Sequence, residues 1–179
     1  MFFVWACLLV SIGCFAMNDV KRVPDAAKSE NSAILSGRLK PGDTSPDFMA
    51  VDSTRRLVSL KSFKGKYVYV DLWATWCSPC VAQIPHLQKL EKLFEGKNIA
   101  FVSISCDDDM DEWLNYLRKH KMDGIQLNFD CNTRFRDAYG VTAIPRFILL
   151  DKKGKVINPN MTRPSDAKTE KTLKALKGL

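Results

Sequence analysis

Two cysteines stand two residues apart in Cys77-Ser78-Pro79-Cys80, just after the run Tyr67–Trp73, YVYVDLW. That run is rich in aromatic and β-branched residues and reads as a buried strand. The residues from Ser78 onward repeat apolar positions at helical spacing. The pair therefore sits where a strand turns into a helix. At a helix start, free N–H groups and the dipole stabilise a thiolate, so Cys77 is the expected exposed nucleophile. Pro79 falls in the first turn, where its missing N–H costs nothing. Cys80 follows one turn later and can attack a mixed disulfide formed at Cys77. The chemistry to expect is thiol–disulfide exchange.

Other chemistries of a C-x-x-C fit less well. A zinc site wants a second pair at similar spacing, and Cys106 and Cys131 stand singly. Haem attachment wants His after the second cysteine, where Val81 stands. A structural bridge would not need the activating strand-to-helix placement. A thiol peroxidase would use Cys77 alone, with Pro and Thr upstream, but positions 70 and 74 hold Val70 and Ala74. A copper-carrying module wants histidine nearby, and His86 and His120 fall on expected helices. The expected site holds no metal and no cofactor.

The resolving thiol must lose a proton before it attacks, and a nearby carboxylate can take it. Asp71 lies inside the YVYVDLW strand and shares a face with Tyr67 and Tyr69 by alternation. Burial there would raise its pKa towards neutrality. The alternative is a strand carboxylate paired with a lysine or held by backbone groups.

The elements around this centre follow in order. Residues 47–51 and 57–60 flank Asp52-Ser53-Thr54 as a hairpin. A helix is expected over 78–95, kinked at Pro85. Ile99–Ser105 reads as a second buried strand. Asp107-Asp108-Asp109 suit the N-terminus of the next helix, with Met110, Trp113, Leu114 and Leu117 on one face. A short strand over 126–129 and a short helix over 133–139 follow. Strands at 146–150 and 155–157 join through Asp151-Lys152-Lys153-Gly154. Ser165 is placed to cap a final helix. The predicted fold is α/β, a mixed central sheet flanked by helices.

Cys106 and Cys131 each follow an expected strand. If those strands are parallel neighbours, both sulfurs emerge at one end of the sheet, within reach of a disulfide. A structural disulfide and two separate thiols are both open.

With these residues in place, the chain resembles the bacterial TlpA-like (ResA/DsbE-like) extracytoplasmic thiol–disulfide oxidoreductases, from about Pro41 to the C-terminus. The similarity rests on Gly42 with Ser45-Pro46-Asp47-Phe48, on Leu60 with Phe63-Lys64-Gly65-Lys66, and on Trp73-Ala74-Thr75-Trp76-Cys77-Ser78-Pro79-Cys80. It continues through Ile144-Pro145, Phe147–Asp151 and Gly154. The resemblance implies a thioredoxin fold with an N-terminal β-hairpin and a β-α insertion near 127–139. It implies a cis Ile144–Pro145 bond beside the cysteines and a substrate surface that includes Trp76, Ile144 and Arg146. An Arg146 cation would favour the Cys77 thiolate or else point to solvent. The family's helix often has Glu where this chain has Gln83, and thioredoxin has a buried Asp matching Asp71. The implied activity is reduction of protein disulfides, with an upstream thiol as electron donor and cytochrome c maturation as one known use. A monomer is expected.

Residues 1–17 carry no charge and are mostly apolar, which reads as a signal or anchor segment rather than a full span. Ser11-Ile12-Gly13-Cys14 resembles a lipobox, so Cys14 is a candidate lipidation site; cleavage or an uncleaved anchor are the alternatives. Residues 18–40 are polar and read as a linker, leaving 41–179 as the domain. The expected location is the bacterial periplasm or cell envelope, held at the membrane, where disulfides persist. Net charge is +7. Lys168, Lys171, Lys174 and Lys177 read as a solvated helix face, which argues against nucleic acid as a partner.

Overall fold

The structure is a computed structural model and describes residues 39–179; residues 1–17 expected to be a signal or anchor, the lipidation candidate Cys14 and the expected linker up to residue 38 lie outside them. Seven strands form one sheet in the order β2-β1-β5-β4-β3-β6-β7. They are β1 (Met49–Asp52), β2 (Leu57–Ser59), β3 (Tyr67–Trp73), β4 (Ile99–Ser105), β5 (Ile125–Asn128), β6 (Arg146–Leu150) and β7 (Val156–Met161). The pairs β3–β4 and β4–β5 are parallel and the others antiparallel. The helices are α1 (Ser78–Val81), α2 (Ile84–Leu93), α3 (Met110–His120), α4 (Arg134–Ala138) and α5 (Ala167–Lys174), and a 3-10 turn spans Leu60–Phe63.

β3 is central and buried along its whole length, which explains why its sequence is apolar on both faces. Val68, Val70 and Leu72 pack with Ile104, Leu127, Ile148, Phe48 and Phe135 on one side. Tyr67 and Tyr69 pack on the other with Leu87 and Leu90 of α2 and Leu173 of α5. A third cluster closes the C-terminal end of β3: Trp73, Ala74, Cys77, Cys80, Trp113 and Leu117. Leu39, read from sequence as linker, is buried in the first core.

Several expectations change in detail. The helix expected over 78–95 is two helices, because the Pro85 ring cannot sit behind the Val81 carbonyl in a continuous helix. β7 runs to Met161 through Pro159, which an irregular edge strand tolerates where a central one would not. Asp166, not Ser165, caps α5 by accepting from the Lys168 N–H at 2.8 Å. Ser165 instead donates its N–H to the Gln83 side chain at 3.1 Å. Among the three aspartates before α3, Asp109 is the cap, accepting from the Asp111 and Glu112 N–H groups.

Candidate active site

The redox pair is formed as a disulfide, Cys77–Cys80, with an S–S distance of 2.00 Å. β3 ends at Trp73, and a tight turn returns the Cys77 N–H to the Ala74 carbonyl at 3.1 Å. Cys77 is the N-cap of α1, and its Sγ accepts the Cys80 N–H at 3.2 Å. A thiolate left on Cys77 after reduction would keep that donor, the interaction that lowers a cysteine pKa at a helix start. Cys77 is not exposed in this oxidised form: Cys77 and Cys80 retain 5% and 3% of their surface. They pack with Trp73, Trp113 and Ile144. Trp76, at 66%, is exposed beside them, as are Ser78 and Pro79.

Ile144–Pro145 is cis. Ile144 is half-buried against the cysteine cluster. Arg146 is half-buried, and its guanidinium donates to the Pro159 carbonyl at 3.4 Å, on the β6–β7 edge.

Asp71 lies between Ser103 of β4 and Phe147 of β6 in register. It is buried, and its Oδ1 has no hydrogen-bond partner. Burial pushes its pKa up to about 7, with Glu91 adding to the rise and the Ser103 hydroxyl opposing it. Asp71 shares its strand face with Trp73, which packs in one cluster with Cys80. A carboxylate so placed exchanges a proton near neutral pH. Gln83 is buried and uses its side-chain oxygen on Ser165.

One residue at the site was misread from sequence. Asp107, taken there as part of a helix cap, is 4% exposed and grips the loop before Cys77. Its two carboxylate oxygens accept the Thr75 N–H at 3.2 and 3.1 Å, and Oδ1 accepts the Thr75 hydroxyl at 2.7 Å. Ser105 donates its hydroxyl to Oδ2, and Asn128 of β5 donates to the Ser105 hydroxyl and the Asp107 carbonyl. The signal was available in the pairing: Trp73 lies opposite Ser105 in parallel register, so Thr75 and Asp107 come level two residues later.

Cys106 and Cys131 are not bridged: Cys106 is a buried free thiol and Cys131 an exposed one. Ser105 pairs with Asn128, which sets Cys106 level with Phe129. Asp130 and Cys131 then take left-handed backbone, φ 47° and 63°, and Cys131 ends in solvent. Burial pushes the Cys106 thiol pKa up, so it is a poor nucleophile. His86 and His120 are exposed on α2 and α3, and His120 stacks on Tyr116.

The sequence model of the Redoxin family matches residues 40–176. A crystal structure of a thiol-disulfide oxidoreductase from Bacteroides vulgatus superposes with a TM-score of 0.73 at 36% identity, over 76% of this chain and 96% of that one. A solution structure of a thiol-disulfide oxidoreductase from the same organism is 49% identical, with a TM-score of 0.66, over 70% of this chain and 83% of that one. The thiol-disulfide oxidoreductase ResA of Bacillus thuringiensis is 27% identical over 78% of this chain and 80% of its own. With a C-x-x-C disulfide at the junction of β3 and α1 in a thioredoxin fold, the chain belongs to the Redoxin family and is a ResA-like thiol–disulfide oxidoreductase.

Proposed function

We propose that the protein reduces disulfides in protein substrates outside the cytoplasm, with Cys77 as nucleophile, Cys80 as resolving thiol and Asp71 as its proton acceptor. The observation that carries this reading is Cys77 at the start of α1 with the Cys80 N–H on its sulfur. In the reduced enzyme the Cys77 thiolate attacks one sulfur of a substrate disulfide. A Cys77–substrate disulfide forms and the other substrate thiolate leaves. Cys80 gives its proton to Asp71 and attacks the Cys77 sulfur, which forms Cys77–Cys80 and releases the second substrate thiolate. An upstream dithiol then returns two electrons to the pair. Exposed Trp76 and the half-buried Ile144–Pro145 segment flank the cysteines and are the surface offered to an extended substrate.

The location follows from residues 1–17 acting as an export signal or anchor, with Cys14 as the lipidation candidate, in the periplasm or cell envelope. Among the described residues no helix is long and apolar enough to cross a membrane. Cytochrome c maturation is one process such a reductase would serve, and a monomer is sufficient for the chemistry.

Equilibration of the Cys77–Cys80 pair against a glutathione buffer tests the direction of electron flow. A potential near that of thioredoxin, about −270 mV, fits a reductant; one near −120 mV would make the protein an oxidant and contradict the proposal.

A further inference from the structure

At the end of the domain remote from the cysteines, three segments far apart in sequence meet. The turn Asp151–Gly154 receives the Gly65 N–H on the Lys152 carbonyl, and the Gly42 N–H binds the Val156 carbonyl. Lys155 Nζ reaches the Gly42 carbonyl at 3.3 Å. This brings six exposed lysines to one pole: Lys40, Lys61, Lys64, Lys66, Lys153 and Lys155. A cavity of about 270 Å³ lies among them, lined by apolar Leu60, Phe63 and Val68 and by lysines 61, 64, 152 and 153. Around the cavity the acidic groups are Asp43 and Asp151, each held by its own turn, and Asp47, held by the Ser59–Leu60 segment; Glu91 and Glu95 line a neighbouring cavity with Lys66. Asp43 accepts the Lys40 N–H, Asp47 the Leu60 N–H, and Asp151 the N–H groups of Lys153 and Lys155. Among the described residues, Lys61 alone of these lysines is drawn to a carboxylate, Asp47, at 3.6 Å.

We propose that this lysine pole docks on an anionic lipid bilayer. Two observations choose that occupant. The described chain enters at this pole, through Leu39 and Lys40, so the apolar residues 1–17 are joined to the domain on its basic side. The pole's surplus of ammonium groups around an apolar hollow complements phosphodiester headgroups, whose attraction for lysine is additive and salt-sensitive. The opposite end is different in charge, with Asp108, Asp109, Asp111 and Glu112 gathered near the start of α3. β3 spans seven residues, or about 20 Å, between the two ends. Docking by the lysine pole therefore turns Trp76 and Cys77 away from the lipid, towards partners in solution. The proposal rests on the reading of residues 1–17 as a leader held at a membrane.

The test uses the full chain with vesicles of phosphatidylcholine alone and of phosphatidylcholine mixed with phosphatidylglycerol. Sedimentation reports attachment, and acylation of amines read by mass spectrometry reports which lysines are covered. On mixed vesicles Lys64, Lys66 and Lys153 are expected to react several-fold more slowly than on neutral ones, with Lys168 and Lys171 unchanged. High salt should remove the difference. Lys64→Glu with Lys66→Glu and Lys153→Glu should raise reactivity of the remaining pole lysines on mixed vesicles to the neutral-vesicle level. These three side chains have no hydrogen-bond or ion-pair partner among the described residues, so disulfide reduction in solution should stay at the wild-type rate and report an intact fold. A chain that sediments with both vesicle types and shows equal acylation on both would overturn the docking face while leaving the leader reading intact. A chain that fails to sediment with neutral vesicles would overturn the leader reading. Salt-sensitive protection on mixed vesicles would still support the docking face in that case.

Discussion

At the scale of single residues, the site combines a buried carboxylate of raised pKa with a carboxylate used as a clamp. Asp71→Asn should slow resolution of the mixed disulfide at neutral pH and leave its formation at Cys77 largely intact, as stopped-flow kinetics with a labelled disulfide would show. Gln83→Glu keeps an acceptor for the Ser165 N–H and should restore part of that rate in the Asp71→Asn background. Because the folded pKa of Asp71 lies above its ordinary value of 3.8, at about 7, the carboxyl favours folding in its protonated state. That contribution is complete below about pH 4 and is lost as pH rises through 7. Asp71→Asn should therefore leave stability nearly unchanged in acid and raise it at pH 8 by the order of a few kcal/mol. Denaturant melts at the two pH values decide this; equal shifts at both would contradict a buried, titrating Asp71. Asp107→Ala removes every acceptor for the Thr75 N–H and hydroxyl. Hydrogen bonds to charged groups contribute about 1.5–3 kcal/mol, and a loss of that order is expected. Reaction of reduced Cys77 should slow as well, because the loop that presents it is freed, whereas Asp107→Asn keeps an acceptor and should recover much of the rate.

At the scale of elements, much was readable in the sequence and the misses share a cause. β3 and the C-x-x-C stood out because an aromatic and β-branched run ends at a strongly local signal. β4 and β6 were readable as short apolar runs, and α3 from its acidic start and the one-face spacing of Met110, Trp113, Leu114 and Leu117. What depended on tertiary neighbours was not. Asp107 looks like a helix cap until β3 and β4 are paired, and then it faces Thr75. The hydrogen bond from Arg146 to the Pro159 carbonyl appears only once β7 is seen to extend past Pro159. Cys106 and Cys131 look bridgeable until the left-handed turn at Asp130–Cys131 carries one sulfur into solvent. Ser165 and Asp166 are adjacent and both are good caps, so only geometry separates them. Asp166→Ala should cost about 1 kcal/mol by thermal melting and remove a cap. Ser165→Ala keeps the backbone N–H that Gln83 accepts and should cost a few tenths at most.

At the scale of the whole molecule, the sheet sets two ends apart. The redox pair, the cis-Pro145 segment and exposed Trp76 sit beyond the C-terminal end of β3, and the lysine pole beyond the other. The basic end is hard to see in the linear sequence because its lysines come from three separate segments, residue 40, residues 61–66 and residues 152–155, which only the fold brings together. The free thiols make a further check on the fold. In the native protein Cys131 should alkylate quickly and Cys106 only on unfolding, and non-reduced peptide mapping should find no Cys106–Cys131 bridge. In the proposed mechanism Cys77 receives the substrate and Cys80 resolves it. Incubation of the reduced Cys80→Ser protein with a disulfide substrate such as insulin, followed by mass spectrometry of the non-reduced peptides, tests this most directly. A stable mixed disulfide on Cys77, absent from Cys77→Ala, is expected; a substrate adduct instead on Cys106 or Cys131, or none at all, would rule this mechanism out.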